Sequence, residues 1–288
     1  MRSTKTRLKH VTAASLLACA LLSTDAAKGA DPQPQRGAMV LVPAGTFVMG
    51  ADGVGEEDER PAHTVELDAY YIDKFEVTNA QYRACVAAKK CKEPKKVGGK
   101  SFREADRPVV GVSWFDARDY CAFAGKRLLT EAEWEKAARG PDGQTYPWGQ
   151  AAPGLKHGCF AWHEPRPCKP GSYPAGDSPY GVSDMAGGVW EWLGDHYDAG
   201  YYPRSPKKNP KGGTCAESKA FFKKLRQEGR QGFTGSNPIP TECEYVLRGG
   251  AWNYPAAGLR SSNRVHHGPD FRIKVAGIRC GADADGAR

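Results

Sequence analysis

The stretch GKRLLTEAEWEKAARG, residues 125–140, joins a short apolar run to a strong helix start. Thr130 and Glu133 have the spacing of a capping box, in which each side chain accepts a hydrogen bond from the other residue's backbone amide. The stretch therefore predicts a helix that begins after Thr130 and ends near Gly140.

Two more helices and five strands are predicted around this one. Thr78 with Gln81, and Ser113 with Asp116, repeat the capping spacing and predict helices after residues 78 and 113. Apolar alternation predicts strands at residues 39–42, 46–49, 64–72, 245–248 and 278–280.

The composition indicates a loop-rich domain. Thirty-four glycines, 21 prolines and seven tryptophans are typical of many turns around aromatic packing, and not of a helical bundle. We therefore expect one irregular α+β domain.

Residues 1–30 have the pattern of an export signal. Four basic residues precede an apolar run at 11–22 that is too short to span a bilayer. Small residues near Ala26 suit an ordinary signal peptidase, whereas residues 16–19 resemble a bacterial lipobox whose Cys19 would be acylated; both alternatives stay open. We expect an exported protein that is periplasmic, secreted or lipid-anchored to the cell envelope, with membrane attachment only if Cys19 is lipidated.

The charge pattern argues against nucleic acid as a partner. Five basic residues and Asp25 give residues 1–30 half of the formal net charge of +8. The basic runs that remain are not interleaved with stacking aromatic residues, so no nucleic-acid partner is expected.

The nine cysteines consist of Cys19 and eight within the domain. An even set in an oxidising compartment predicts up to four disulfides, and no CxxC pair indicates a zinc ribbon or a thioredoxin-like motif. Eight cysteines allow many pairings, so spacing alone does not fix the connectivity.

Seven motifs match a known family in order and spacing. They are VPAGTFVMG at 42–50, ERPAH at 59–63, FEVTN at 75–79, PVVGVSW at 108–114, GKRLLTEAEWE at 125–135, VWEW at 189–192 and RGGAW at 248–252. Over about residues 38–283 the chain resembles the sulfatase-modifying-factor family of formylglycine-generating enzymes. The resemblance thus implies a domain over residues 38–283, with a short linker at 31–37 and a tail at 284–288. The resemblance implies a C-type-lectin-like fold, with little regular structure, a small antiparallel sheet and a cleft built from long loops.

The resemblance also implies a disulfide pairing. In this family a cysteine of the YCAFAGKRL segment, here Cys121, is bonded to one near the C-terminus, here Cys280. The other six are then expected to pair as neighbours along the chain, as Cys85–Cys91, Cys159–Cys168 and Cys215–Cys243.

The active-site pattern of the family is not kept. Formylglycine-generating enzymes oxidise a substrate cysteine with two cysteines that hold copper, and the corresponding positions here are Tyr254 and Leu259. Neither side chain supplies the soft thiolate that a cuprous ion needs. Cys243 is a conceivable substitute, but it has a disulfide partner, so we do not expect copper.

A calcium site of the family is better preserved. Its ligands correspond to Asp184, the backbone carbonyls of Gly187 and Val189, and the Glu191 carboxylate, which are oxygen ligands of the kind that calcium takes. The resemblance thus implies structural calcium. The residues by themselves favour the alternative, in which Asp184 caps a turn and Glu191 pairs with an arginine.

Another branch of this superfamily resembles a non-haem iron sulfoxide synthase, which uses three histidines. His63, His196, His266 and His267 are candidates, but no HxxxH spacing places two on one helix face. We expect exposed loop histidines, so iron has no support from the sequence.

Six residues occupy the segments that line the family's substrate groove: Trp190, Trp252, Asn253, Tyr254, Arg260 and Arg264. Aromatic walls with guanidinium groups suit an extended peptide or an anionic group. Tryptophans of a loop-rich domain are often core residues, and we expect this of Trp190. For Trp252 and Asn253, binding and core roles both stay open.

Two functions are consistent with these residues. The first is an exported, calcium-stabilised module that binds a peptide, a glycan or a surface protein, without copper-dependent cysteine oxidation. The alternative is an oxidoreductase, either a formylglycine-generating oxidase with an atypical route or a non-haem iron enzyme of periplasmic maturation. The sequence identifies no catalytic residue.

Overall fold

Four helices in the described part of the chain begin at a capping box. The computed structural model describes Met1, residues 38–230 and residues 239–284. The helices are α1 (Asn79–Ala87), α2 (Trp114–Phe123), α3 (Glu131–Arg139) and α4 (Cys215–Gln227). The caps predicted at Thr78, Ser113 and Thr130 are confirmed. Helix α4, capped by Thr214 with Glu217, was not predicted, although its sequence contains the same signal.

The strands in the same part of the chain are short. They are β1 (Met39–Val42), β2 (Gly45–Met49), β3 (His63–Leu67), β4 (Tyr70–Asp73), β5 (Arg127–Leu128), β6 (Trp190–His196), β7 (Tyr245–Arg248), β8 (Val265–His267), β9 (Ala276–Gly277) and β10 (Cys280–Asp283). They form a sheet of order β1-β4-β10-β5, a hairpin of β2 and β3, and a sheet of order β8-β7-β6-β9. All pairs are antiparallel except β6 with β9.

Two strand predictions need correction, and strands β5, β6, β8 and β9 were not predicted. The single strand predicted at 64–72 is two strands, β3 and β4, joined at residues 68–69. The strand predicted at 278–280 begins at Cys280 and continues to Asp283. Strand β6 was missed because six of its seven residues are buried or partly buried, so it shows no polar alternation.

The four disulfides of the described residues have the predicted pairing: Cys85–Cys91, Cys121–Cys280, Cys159–Cys168 and Cys215–Cys243. The Cys121–Cys280 bond joins α2 to β10 across a sequence separation of 159 residues. A loop of that length is the one whose closure most restricts the unfolded chain.

The core divides into two main groups of buried side chains. One lies between α1, α2 and the sheet that contains β6, and includes Trp190, Trp192 and Trp252. The other lies around α3 and the β2–β3 hairpin, and includes Trp134. The predicted signal peptide, Cys19 and the linker fall outside the described residues, apart from Met1. Among those that are described, no helix is both long and apolar enough to cross a membrane.

Candidate functional site

Helix α3 contributes a buried ionic cluster to the centre of the domain. Arg248 donates to Glu131 at 2.9 Å and to Glu135, and all three side chains are at most 4% exposed. Arg264 forms a forked pair with Glu131, at 2.7 and 2.9 Å. Burial by itself would raise the pKa of Glu131, but Arg264 and Arg248 hold it below its usual value. We refer to Glu131, Glu135, Arg248 and Arg264 as the ionic cluster.

Arg264 therefore lies in the core and not on a surface that a ligand reaches. Its guanidinium stacks over the rings of Tyr197 and Tyr202, at 5.0 and 4.5 Å. Arg260, the other predicted arginine, pairs with the buried Glu59 through Nη2 and donates Nη1 to the Ala257 carbonyl. The two arginines of the predicted groove thus tie loops together.

The predicted aromatic residues do come together. Trp190 contacts Tyr254 edge to face, with ring centroids 5.2 Å apart, and both tryptophans of the prediction are at most 2% exposed. Asn253 and Tyr254 are half-buried. Trp190 is a core residue, as expected, and Trp252 is buried in the same core group.

A residue that the sequence did not indicate completes this surface. Trp162 is 58% exposed, and its ring meets Trp252 edge to face at 4.7 Å. Lys274 places its ammonium 5.4 Å from the ring of Trp162 and 5.5 Å from that of Trp252. We refer to Trp162, Trp252, Tyr254 and Lys274 as the aromatic surface.

The loop that carries Trp162 is firmly held. Ala161 and Trp162 both have left-handed backbone angles, with φ of 55° and 61°, which side-chain-bearing residues adopt at a cost. Their amides donate to the carbonyls of Tyr254 and Trp252, at 2.8 and 3.0 Å. The Cys159–Cys168 disulfide closes the same loop. Trp162 is therefore displayed on a braced loop, and the strained backbone is retained because these contacts fix it.

Three buried polar atoms of the predicted groove lack a hydrogen-bond partner: Trp190 Nε1, Asn253 Oδ1 and Arg260 Nε. Buried polar side-chain atoms are usually satisfied, so each exception requires an explanation. Here two donors and one acceptor lie in the segments that carry the aromatic surface.

The predicted calcium ligands lie beside a second buried cluster. Glu191 accepts from the Arg279 guanidinium on both carboxylate oxygens and from the Trp134 indole at 2.6 Å. This is the arginine pairing that the sequence left open. Asp184 has a left-handed φ of 58° and accepts from the Gly171 amide at 2.5 Å. The donor set therefore fits calcium in part, because Asp184 is free of a cation and Glu191 is not.

A third carboxyl, which the sequence did not indicate, lies in the same cluster. Glu76 is 2% exposed and accepts from the Val189 amide at 2.8 Å. Burial raises its pKa well above the usual range, with Asp184 and Glu191 adding to the rise. Burial likewise raises the pKa of Asp184 to about 6. We refer to Glu76, Asp184, Glu191 and Arg279 as the acidic cluster, which has three carboxyls and one guanidinium.

Gly187 and Gly188 lie in the turn between the acidic cluster and the aromatic surface, where close packing leaves no room for a side chain. A side chain at Gly188, whose φ is 68°, would place its Cβ 2.4 Å from Glu76 Oε1. The Gly187 amide donates to the Gly249 carbonyl, and the Trp252 amide donates to the Gly188 carbonyl. The acidic cluster and the aromatic surface are therefore joined through one turn.

The redox metals of the family lack donors in this arrangement. Tyr254 lies on the surface, and Leu259 is fully buried against Phe160 and Ala186. The eight cysteines of the described residues are all in disulfides, so they offer no thiolate to copper. Within residues 38–230 and 239–284, no group of three or more His, Cys, Asp or Glu side chains is arranged to hold a metal ion.

The expectation of exposed loop histidines is wrong for all four candidates, because each lies in a strand and none is exposed; His266 is the most buried. This residue lies on β8, is 4% exposed, pairs with Glu244 and stacks on Tyr197 at 3.7 Å. Strand β8 pairs with β7, and this register places His266 opposite the buried Val246. His63, His196 and His267 are half-buried against aromatic rings.

A cavity of about 350 Å³ lies apart from the aromatic surface. Its lining includes Phe75, Glu76, Thr78 and Tyr120. None of the residues predicted to form a groove is part of its lining.

Comparison with known proteins identifies the family. A match to the family described as sulfatase-modifying factor enzyme 1-like domain spans residues 24–284. The formylglycine-generating enzyme of Thermomonospora curvata is 32% identical, over 88% of this chain and 95% of its own length. The hercynine oxygenase of Mycolicibacterium smegmatis is 32% identical over 86% of this chain, which spans 61% of that protein.

Among solved structures, PvdO from Pseudomonas aeruginosa is similar with a TM-score of 0.65. It is 24% identical, and the similarity covers 85% of this chain and 94% of that one. A likeness at this identity concerns the fold. The fold is the α+β, C-type-lectin-like one that the motifs implied, and the chain belongs to the sulfatase-modifying factor enzyme 1-like family.

Proposed function

We propose that this protein is an exported binding module of its family. It binds an extended peptide on the aromatic surface and does not oxidise cysteine with copper. Calcium at Asp184 is part of the proposal. The basic and apolar pattern of residues 1–30 and the four disulfides support export.

The observation that carries the proposal is the position of Trp162. Large aromatic side chains on rigid loops bind with little loss of conformational freedom, because they have two side-chain torsions and a fixed backbone. Trp162 is more than half exposed on a loop closed by a disulfide and bonded to the backbone of residues 252 and 254. A core role does not account for this exposure.

The unpartnered polar atoms favour a peptide over an apolar ligand. An extended peptide alternates amide donors with carbonyl acceptors, which complement the Asn253 acceptor and the donors of Trp190 and Arg260. The Lys274 ammonium beside the two indoles adds a preference for a carboxylate on the peptide. Because these atoms are buried, a peptide reaches them only if the side chains that cover them move.

The absence of available thiolates supports binding over copper chemistry. A cuprous site needs soft ligands, and the described cysteines are all paired. Tyr254 and Leu259, at the family's cysteine positions, contribute a ring to the surface and a buried apolar contact.

The test uses a fluorescently labelled, cysteine-containing sulfatase-motif peptide and the same peptide with serine in place of cysteine. Anisotropy measures binding, and mass spectrometry measures conversion of cysteine to formylglycine. We expect both peptides to bind without conversion, and Trp162→Ala to weaken binding at least about tenfold. Leu155→Ala is the matched control, because Leu155 is 60% exposed and lies outside the surface.

Failure of both peptides to bind would contradict the proposal for peptides. Equal loss in the two variants would show that Trp162 has no special role.

An oxidoreductase is the second candidate function, favoured by the similarity to a formylglycine-generating enzyme over nearly its whole length. Conversion of the cysteine peptide, with one equivalent of copper or iron in the purified protein, would support this candidate and reject the binding module. Calcium alone with an unchanged peptide would support binding.

A further inference from the structure

The segment of residues 83–103 contains an unusual concentration of positive charge. Its six lysines are Lys89, Lys90, Lys92, Lys95, Lys96 and Lys100. Arg83 and Arg103 stand at its two ends, and Glu93 is its one acidic residue. The segment thus has a formal charge of +7. We refer to residues 83–103 as the basic segment.

The rest of the domain does not share this charge. The whole chain has a formal net charge of +8, of which residues 1–30 contribute +4. Removing these and the +7 of the basic segment leaves −3 for all other residues. The positive charge is therefore local, on a domain that is otherwise slightly acidic.

The eight cations are exposed and unpaired with acid. All eight residues are exposed to solvent. In the part of the chain that the structure describes, none of them lies within ion-pair distance of a carboxylate. Elsewhere exposed lysines commonly have such partners: Lys169 meets Asp106 at 2.7 Å, and Lys219 meets Glu242 at 2.6 Å. Cations left without local partners keep their full attraction for an external anion.

The fold presents the segment as one patch. The Arg83 guanidinium donates to the Arg103 carbonyl at 3.3 Å, so the two ends of the segment meet. The Cys85–Cys91 disulfide and the bond from the Tyr82 hydroxyl to the Lys92 carbonyl fold the middle back onto α1. The charges consequently move as a unit with the domain and need little ordering on binding.

The composition of the patch favours a broad anionic surface over a single bound group. Six of the eight cations are lysines, which act as hydrated point charges, whereas bidentate recognition of one phosphate typically uses arginine. The one aromatic residue in the segment, Phe102, is buried against Trp252, so no ring is available to stack on bases. A bilayer of anionic phospholipid offers many phosphates in one plane and no need for stacking.

We propose that the basic segment docks the domain onto the surface of an anionic phospholipid bilayer. The proposal is independent of the peptide-binding function and of lipidation at Cys19. Docking by Coulomb attraction orients the domain with α1 toward the membrane and is weakened by salt.

The test is co-sedimentation of the full chain with vesicles, in a Cys19→Ser background that prevents acylation. Phosphatidylcholine vesicles are compared with vesicles that contain about one third phosphatidylglycerol. The patch variant carries Lys89→Gln, Lys90→Gln, Lys95→Gln and Lys96→Gln. The matched control carries Lys156→Gln, Lys207→Gln, Lys211→Gln and Lys223→Gln, which removes the same charge from exposed positions elsewhere.

We expect binding to the anionic vesicles alone, reduced at least about tenfold in the patch variant and within about threefold of wild type in the control. Equal reduction in both variants would overturn the proposal, because net charge would then be the cause. Equal binding to both vesicle types would overturn it as well. Binding to heparin without binding to vesicles would assign the patch to an acidic polysaccharide instead. Unchanged circular dichroism and unfolding temperature establish that the variants are folded.

Discussion

The ionic cluster and the aromatic surface differ in how their polar groups are paired, with Arg248 Nε the one side-chain atom of the ionic cluster that lacks a partner. In the ionic cluster, Glu131 and Glu135 each meet a guanidinium, although all of these side chains are almost fully buried. In the aromatic surface, Trp162 is exposed, and the neighbouring segments contain two donors and one acceptor that have no partner. Paired buried charges fix the shape of the domain, whereas unpaired groups beside an exposed ring indicate a place where a partner is still to be added.

The largest expected effect tests the structural half of this comparison. Arg248→Met leaves Glu131 and Glu135 buried without one of their cations, and we expect a loss of about 3–5 kcal/mol in the free energy of unfolding. Urea denaturation measures it. Arg118→Ala breaks the exposed pair with Asp119 and should change stability by less than about 1 kcal/mol. Similar losses in both variants would show that the cluster is not the structural centre.

A second prediction concerns Asp195, whose carboxyl accepts from the Glu131 amide at the start of α3. Burial raises its pKa to about 8, with Glu131 and Glu133 adding to the rise. Because the folded-state pKa is above the unfolded value, its stabilising contribution is complete below about pH 4 and is lost as the pH rises toward 8.

Asp195→Asn keeps an acceptor for the amide and cannot ionise. We expect it to be more stable than wild type by about 1–3 kcal/mol above pH 8, with no difference near pH 4. Unfolding curves at the two pH values provide the measurement. A constant difference at both would contradict the assignment.

Calcium binding tests whether the acidic cluster can still bind a partner, as we propose for the aromatic surface, or is a structural group like the ionic cluster. Millimolar calcium should stabilise the protein by about 1 kcal/mol if Asp184 binds the ion, since that cluster has an excess of carboxyls. Thermal unfolding with calcium and with chelator measures the shift. Asp184→Asn should abolish it, and no shift in wild type would leave the Glu191–Arg279 pair as a purely structural feature.

The smallest expected effect concerns Lys274. Replacing it with Gln removes the ammonium beside Trp162 and Trp252, and we expect peptide affinity to fall about threefold with unfolding unchanged. The loss should shrink at high salt for an acidic peptide. A larger fall in stability than in affinity would place Lys274 with the structural residues.

The parts of the fold that the sequence predicts are those encoded locally. Thr78, Ser113 and Thr130 mark helix starts because a cap needs two side chains three residues apart. The disulfides follow from the family pattern. Strand β6 is not predictable in this way, because burial on both faces removes its alternation.

The candidate site was predicted less well, since its contacts join distant parts of the chain. Trp252 contacts Trp162 and Tyr254 contacts Trp190, whereas Arg264 turns inward to meet Glu131, which is 133 positions away. Trp162 and Lys274 belong to no motif. The one available signal for Trp162 was its position between Cys159 and Cys168, because a side chain on a short disulfide-closed loop is often exposed.

Strand β10 lies between β4 and β5, so the sheet that starts with β1 remains incomplete until almost the last residue of the domain is present. During synthesis, Cys121 emerges 159 residues before its partner, whereas Cys85 and Cys91 emerge together. An oxidant that acts on the nascent chain thus meets Cys121 while only incorrect partners are available. Native yield should therefore depend on disulfide exchange after release, and a disulfide isomerase should raise it more than a stronger oxidant does.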